Sequence, residues 1–166
     1  MKKVTIAEAF EIAIAAEQSV EKMYGELESK FADHEEVAAF WKQYTRDEAD
    51  HAKWLGRMKT EPSPEQLAKQ VDASTAELLQ SVVNFSVEKA LGGVKNLQDA
   101  YELVSEIENG ELNAIFQFLL DNFEADARLR DFLREQLNKH IARLVTDFPT
   151  QYREMPVRMA TLAKRA

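Results

Sequence analysis

The stretch Trp41–Met58, WKQYTRDEADHAKWLGRM, decides how the chain reads. With Val37 ahead of it, the positions Val37, Trp41, Tyr44, Glu48, His51, Leu55 and Met58 follow alternating steps of four and three. That is the seam of a helix packing in a bundle. Two of its members, Glu48 and His51, are polar where apolar side chains ordinarily pack. A lone carboxylate in a dry core is costly and takes up a proton or finds a partner.

The same pattern extends outward. N-terminal to it, Ile6, Phe10, Ala13, Glu17, Val20, Tyr24, Leu27 and Phe31 form a seam that again contains one carboxylate. Asp33-His-Glu-Glu36 predicts an N-cap at Asp33 and a second helix from there. C-terminal to it, Pro62-Ser63-Pro64 ends helix two. Ser63-Pro64-Glu65 then starts a helical crossover that reads to about Leu91, with a break near Ala73-Ser-Thr75, before Gly92-Gly93 stops it. Helix three carries Val94, Leu97, Tyr101, Val104, Glu108, Glu111, Ile115 and Phe118. Helix four carries Leu133, Leu137, His140 and Leu144, ending at Phe148-Pro149. The expected fold is all-α: an up-down-down-up four-helix bundle over residues 1–148 with a long helical crossover between helices two and three. A basic tail, 149–166, follows, with Arg153, Arg158, Lys164 and Arg165 against Glu154.

Composition narrows the function. Lys+Arg 21 against Asp+Glu 29 gives a net charge of -8, which disfavours nucleic acid and acidic membrane surfaces. Only 5 Gly and 4 Pro favour long helices over many short strands. The absence of Cys removes disulfides, thiolate metal sites and a thiol nucleophile, and fits a reducing compartment. The best apolar run near the N-terminus, Ile12–Ala16, is too short for a signal-peptide core or a membrane span, so a cytoplasmic protein is expected. No Ser-His-Asp arrangement or phosphate loop is present.

Counting residues sets the polar seam positions level. Glu17 lies 16 residues before Asp33 and Glu48 15 after it; Glu108 and His140 each lie 16 from Glu124, where helices three and four should turn. At a constant rise per residue each pair shares one height near mid-helix. Any single Glu-x-x-His arises often by chance, and a lone seam His is more often hydrogen-bonded in a core than metal-bound. Glu17, Glu48, His51, Glu108, Glu111 and His140 in one layer are another matter. A cation that collects such ligands removes the burial penalty, and a Glu on one helix with Glu-x-x-His on another is how bundles hold two metal ions. Carboxylate and imidazole accept iron, manganese and zinc alike. Tyr24, Tyr44 and Tyr101 read as core residues, with one near the layer able to steer oxygen chemistry or donate an electron. Trp41 and Trp54 read as packing, and His34 as solvated.

These residues resemble the rubrerythrin-like proteins of the ferritin-like superfamily over about residues 5–148. The resemblance rests on A-x-x-x-E-x-x-x-x-x-x-Y from Ala13 through Glu17 to Tyr24, on DEADHAKWL at 47–55, on YELVSEIENGELNAIF at 101–116, and on the long crossover. It implies a non-haem centre of two iron ions that reduces hydrogen peroxide. His51 and Glu111 would exchange as ligand of one iron, with Glu17, Glu48, Glu108 and His140 as the steadier ligands. Peroxide or oxygen would be the substrate, with Fe(II) oxidation as a related chemistry, and a homodimer the assembly. Without Cys this chain holds no rubredoxin-type iron site, so the electron donor would be a separate protein.

Helix four departs from that pattern. It reads Leu137-Asn-Lys-His140 where Glu-x-x-His is expected, so one carboxylate is missing and the second ion is expected to bind more weakly. Glu135, five residues from His140, points away from the seam. The competing reading is a helical bundle that has lost a complete metal site and serves in binding or assembly. A storage cage is less favoured, because nothing in the sequence resembles ferritin cage contacts.

Overall fold

A computed structural model describes residues 3–153, with Glu111 placed by its backbone alone. The elements are α1 (Ile6–Lys30), α2 (Glu35–Met58), α3 (Pro64–Leu67), α4 (Ala73–Asn84), α5 (Val87–Gly92), α6 (Leu97–Glu108), α7 (Glu111–Phe123) and α8 (Ala127–Thr146), then a 3-10 turn at Thr150–Tyr152. Among the described residues there is no strand, and no helix is long and apolar enough to cross a membrane. Most of the basic tail, residues 154–166, lies outside the described span.

Local chemistry sets the helix ends. Thr5 caps α1 by accepting from the Glu8 N–H, while the Glu8 carboxylate accepts from the Thr5 N–H. Helix two starts one residue later than expected: His34 is its N-cap and makes no side-chain cap bond. The His34 N–H donates to Phe31 O, so Asp33 sits within the preceding turn. His34 is exposed, against the Tyr152 ring.

The crossover is three helices, not one with a single break. Its first interruption falls before Ala73: Thr5 and Gln70 form an isolated bridge, and Ile6 and Val71 N–H groups donate to Lys69 O and Val4 O. Asp72 then caps α4 through the Thr75 N–H. A second interruption at Phe85-Ser86 precedes α5, with Ser86 capping through the Lys89 N–H.

Helix three is also interrupted, between Glu108 and Glu111. Asn and Gly are poor helix formers, and at Gly110 a Cβ would lie 2.9 Å from Glu106 O and 3.3 Å from Ile107 O. The freed Glu108 carbonyl accepts from Asn113 Nδ2. Beyond the break the expected Ile115 is buried, but the expected Phe118 is only partly so, and Phe116, Leu119 and Leu120 face the core instead.

Two apolar clusters fix the topology. The first holds Val20, Tyr24 and Leu27 of α1, Trp41 and Tyr44 of α2, Tyr101 and Val104 of α6, and Leu144 of α8. The second holds Phe10 and Ala13 of α1, Leu55 and Met58 of α2, Ile115 and Leu119 of α7, and Leu133 and Leu137 of α8. Chain direction from the second cluster to the first is shared by α1 and α8, and the reverse by α2 and α6–α7. That is the up-down-down-up arrangement of a ferritin-like bundle, with helices two and three parallel. The crossover must climb back, and it does: Leu78, Leu79 and Val82 of α4 join the second cluster, and Val87 and Leu91 of α5 join the first.

Candidate metal centre

Between the clusters lies a polar layer. Glu17, Glu48, His51, Glu108 and His140 are all at most 3% exposed. Their atoms form two three-residue groups, Glu17/Glu48/His51 and Glu48/Glu108/His140, each with its ligand atoms within 4.8 Å of one another. Glu48 belongs to both. His51 Nδ1 lies 3.2 Å from Glu48 Oε2 and 3.5 Å from Glu17 Oε2. His140 Nε2 lies 3.0 Å from both Glu48 Oε1 and Glu108 Oε1.

These short approaches are not all hydrogen bonds. Both Glu17 oxygens and His140 Nε2 are buried with no hydrogen-bond partner of acceptable geometry. Buried polar atoms that crowd a common space without bonding one another carry a desolvation cost, and a divalent cation among them would remove it. The donor set of carboxylate oxygens and imidazole nitrogens suits iron, manganese or zinc. The residues fit a metal pair.

Electrostatics describes the same strain from the proton side. Burial, then the neighbouring Glu48 charge, pushes the Glu17 carboxyl well above the usual range. Burial opposes ionisation of Glu48 too, but contacts from Glu17, His140 and His51 outweigh it and hold its carboxyl well below that range. Burial favours neutral His51, yet Glu17 and Glu48 prevail and push it up to about 10. His140 is likewise raised, burial being overcome by Glu108, Asp47 and Glu48. The metal-free layer thus holds protons in places where a cation would sit.

Around the layer, three polar contacts position its members. Tyr24 donates its hydroxyl hydrogen bond to Glu108 Oε1, and burial, then the charges of Glu108 and Glu48, keep the phenol protonated. Tyr44 donates to His140 O at 2.7 Å. Asp47 Oδ2 lies 3.2 Å from His140 Nδ1 and pairs with Arg143.

Of the sequence candidates, the structure brings Glu17, Glu48, His51, Glu108, His140 and Tyr24 together. Glu111 opens α7, one residue beyond the break. Leu137, 2% exposed, belongs to the second apolar cluster. Sequence reasoning missed Asp47, Arg143 and Asn113. The signal for the first two was available: Asp47 adjoins Glu48, and Arg143 follows His140 by three residues, so each lies within one helical turn of a layer member. Asn113, whose Nδ2 also lies 3.2 Å from Glu108 Oε2, depends on the unforeseen helix break.

Comparison with known proteins agrees with this geometry. A sequence profile of the rubrerythrin family matches residues 8–137. No curated protein matches the chain. Among solved structures, the chain is similar to a protein from Thermotoga maritima assigned to the ferritin-like diiron-carboxylate class, with 16% identity and a TM-score of 0.62 over 88% of this chain and 95% of that one.

Proposed function

The chain belongs to the rubrerythrin family, and from that premise we propose that it is a redox protein whose two metal ions, iron in the first instance, act on peroxide or oxygen or take part in Fe(II) oxidation. The observation that carries the reading is the sharing of Glu48 between two buried ligand groups. A carboxylate with two oxygens serves two cations, which a structural polar cluster does not need.

In this reading Glu17, Glu48 and His51 hold one ion, and Glu48, Glu108 and His140 the other, with Glu111 available from the start of α7. When bound, such ions polarise an O–O bond and supply electrons to it. The protein's own part is positional. Asp47 holds His140 Nδ1 so that Nε2 faces the layer. Tyr24 fixes Glu108 and keeps a proton at its Oη beside the site. The apolar clusters above and below exclude water. A separate protein donates the electrons, and assembly as a homodimer in the cytoplasm belongs to the same proposal.

One observation favours a second reading: Leu137 stands buried where the family pattern has a carboxylate. A bundle without a full ligand set would serve in binding or assembly instead. Elemental analysis after anaerobic Fe(II) reconstitution, on protein purified without a metal-affinity tag, separates the two. Two irons per chain is the expected result; none overturns the redox reading.

A further inference from the structure

A groove of about 840 Å3 runs along the outer faces of α1 and α6, between them and the C-terminal end of α4. Its walls are mostly apolar, with Ile12, Ala16, Val82, Leu103 and Ile107 among them. Of its lining, Val83 and Phe85 are 56% and 43% exposed, so the apolar surface continues out to solvent. Among the described residues the lining contains no Lys, Arg or His, and its two charges are Glu11 and Glu106. Glu102, exposed one turn before Glu106, extends the acidic edge along α6.

The chain itself supplies a segment of matching chemistry. Residues 154–166, EMPVRMATLAKRA, carry Arg158, Lys164 and Arg165 against Glu154, a basic stretch in a chain of net charge -8. Met155, Met159, Leu162 and Ala166 recur at steps of four, three and four, with Arg158 and Arg165 on one flank of that stripe. The segment also starts within reach. Tyr152 packs on the first cluster, the 3-10 turn lies against α6, and the Phe148 ring is 5.2 Å from that of Tyr101 on α6. Glu106 is five residues further along that helix, about 7.5 Å along its axis. The thirteen residues 154–166 span about 20 Å as a helix and roughly 40 Å extended, enough to pass round α6 and follow the groove.

We propose that residues 154–166 dock in this groove of their own chain, Met155, Met159 and Leu162 against its apolar walls and Arg158 and Arg165 beside Glu102 and Glu106. Tethering favours this occupant. A segment already attached is presented at an effective concentration on the order of mM, so an open groove and two exposed ion pairs suffice. A second copy of the bundle fits less well: an isologous contact sets one patch against itself, and here that brings Glu11 and Glu106 toward like charge. A small anion finds no cation in the lining. The docking is independent of the metal layer, whose ligands are buried on the inner faces of the same helices, so it does not depend on the redox reading.

The test uses the full chain, free of metal. The sequence has no Cys, so a nitroxide attached through Thr161→Cys reports from one position, off the apolar stripe. In isotopically labelled protein the nitroxide should broaden the amide signals of Ser19, Phe85 and Glu106 and leave those of Arg128 and Leu129, at the start of α8, unchanged. Arg158→Glu with Arg165→Glu should lower the docked fraction by at least about threefold, and adding Glu102→Lys with Glu106→Lys should restore it. The first pair of changes lies beyond the bundle, so loss of broadening there reports undocking while the circular dichroism spectrum stays helical. Absence of broadening at Ser19, Phe85 and Glu106, or broadening that the charge reversals leave unchanged, overturns the proposal. So does broadening in a mixture of spin-labelled protein with isotopically labelled protein that lacks the nitroxide, because the segment then reaches a second copy.

Discussion

Asp47 Oδ2 on α2 lies 3.2 Å from His140 Nδ1 on α8, and the same carboxylate oxygen pairs with Arg143. The carboxylate is held below its ordinary range: burial opposes this, but His140, Gln43 and Arg143 prevail. A charged acceptor at Nδ1 leaves Nε2 as the nitrogen that faces Glu48 and Glu108. The orientation of one layer member thus depends on a residue outside the layer.

Asp47→Ala should therefore weaken binding of the ion at Glu48, Glu108 and His140 by about 10–100-fold while leaving the other ion nearly unaffected. Competition against a chelator of known affinity measures both. Equal weakening of the two ions would show that Asp47 supports the bundle in general and not His140.

Glu17→Gln removes a carboxyl that burial and Glu48 already disfavour as an anion. The metal-free variant should be as stable as the parent or more so, by on the order of 1 kcal/mol, because at neutral pH the unfolded chain ionises Glu17 while the fold must keep it protonated, and Gln carries no such cost. Bound metal should drop. Thermal unfolding paired with elemental analysis decides; a variant that unfolds more easily without metal, yet retains full stoichiometry, would make Glu17 structural.

The pH dependence has a definite sign. His51 rises from 6.5 to about 10 in the fold, so its contribution to metal-free stability is complete below about 6.5 and is lost as pH climbs through about 10. Raised Glu17 acts in the same direction, losing its contribution as pH rises. Glu48, held low, contributes above the usual carboxylate range and loses its contribution only in acid. Between pH 6.5 and 10 the metal-free protein should lose stability, whereas metal, which displaces protons from His51, His140 and Glu17, should bind more tightly. The gap in Tm between loaded and metal-free protein should widen across this window. A constant gap would mean that the histidines do not exchange protons for metal.

Gly110→Ala tests the break in helix three. A Cβ 2.9 Å from the backbone oxygen of Glu106 forces the chain to shift, and a loss of about 1–3 kcal/mol is expected from denaturant unfolding. Unchanged stability would show that the α6–α7 junction adapts freely.

The bundle was legible because its seams are long and regular. Every expected seam position on α1, α2 and α8 is buried, and the heights of Glu17, Glu48, Glu108 and His140 followed from counting alone. What escaped were places where a backbone contact between distant segments decides. The crossover stops before Ala73 because Val4–Ile6 pairs with Lys69–Val71, a relation no local propensity carries. After Gly110 the expected Ile115 is buried, but the next core position is Leu119 and not Phe118, because α7 starts afresh beyond two residues outside the helix. Asp47 lies on the flank of the α2 seam, where seam periodicity carries no signal; its role follows only from the need of a buried His for a partner at its second nitrogen.

Leu137 isolates the one departure from the family's ligand pattern. It sits one turn before His140 on α8 and packs in the second cluster, with Phe116 and Leu133 among the buried members. An apolar side chain there leaves the layer one carboxylate short, so an ion at His140 would complete its shell with water or an external anion. Leu137→Glu should raise occupancy of the second ion and any peroxide turnover. It should also destabilise the metal-free form, because a carboxylate without a partner enters an apolar cluster. Metal should reverse that loss, which makes the Tm of loaded against metal-free variant the sharpest readout. If the parent already holds two ions tightly and the variant changes neither stoichiometry nor turnover, another group completes the site, with Glu111 the first to mutate. If the variant loses folding and metal together, residue 137 faces a dry core, and the metal-deficient bundle becomes the better account.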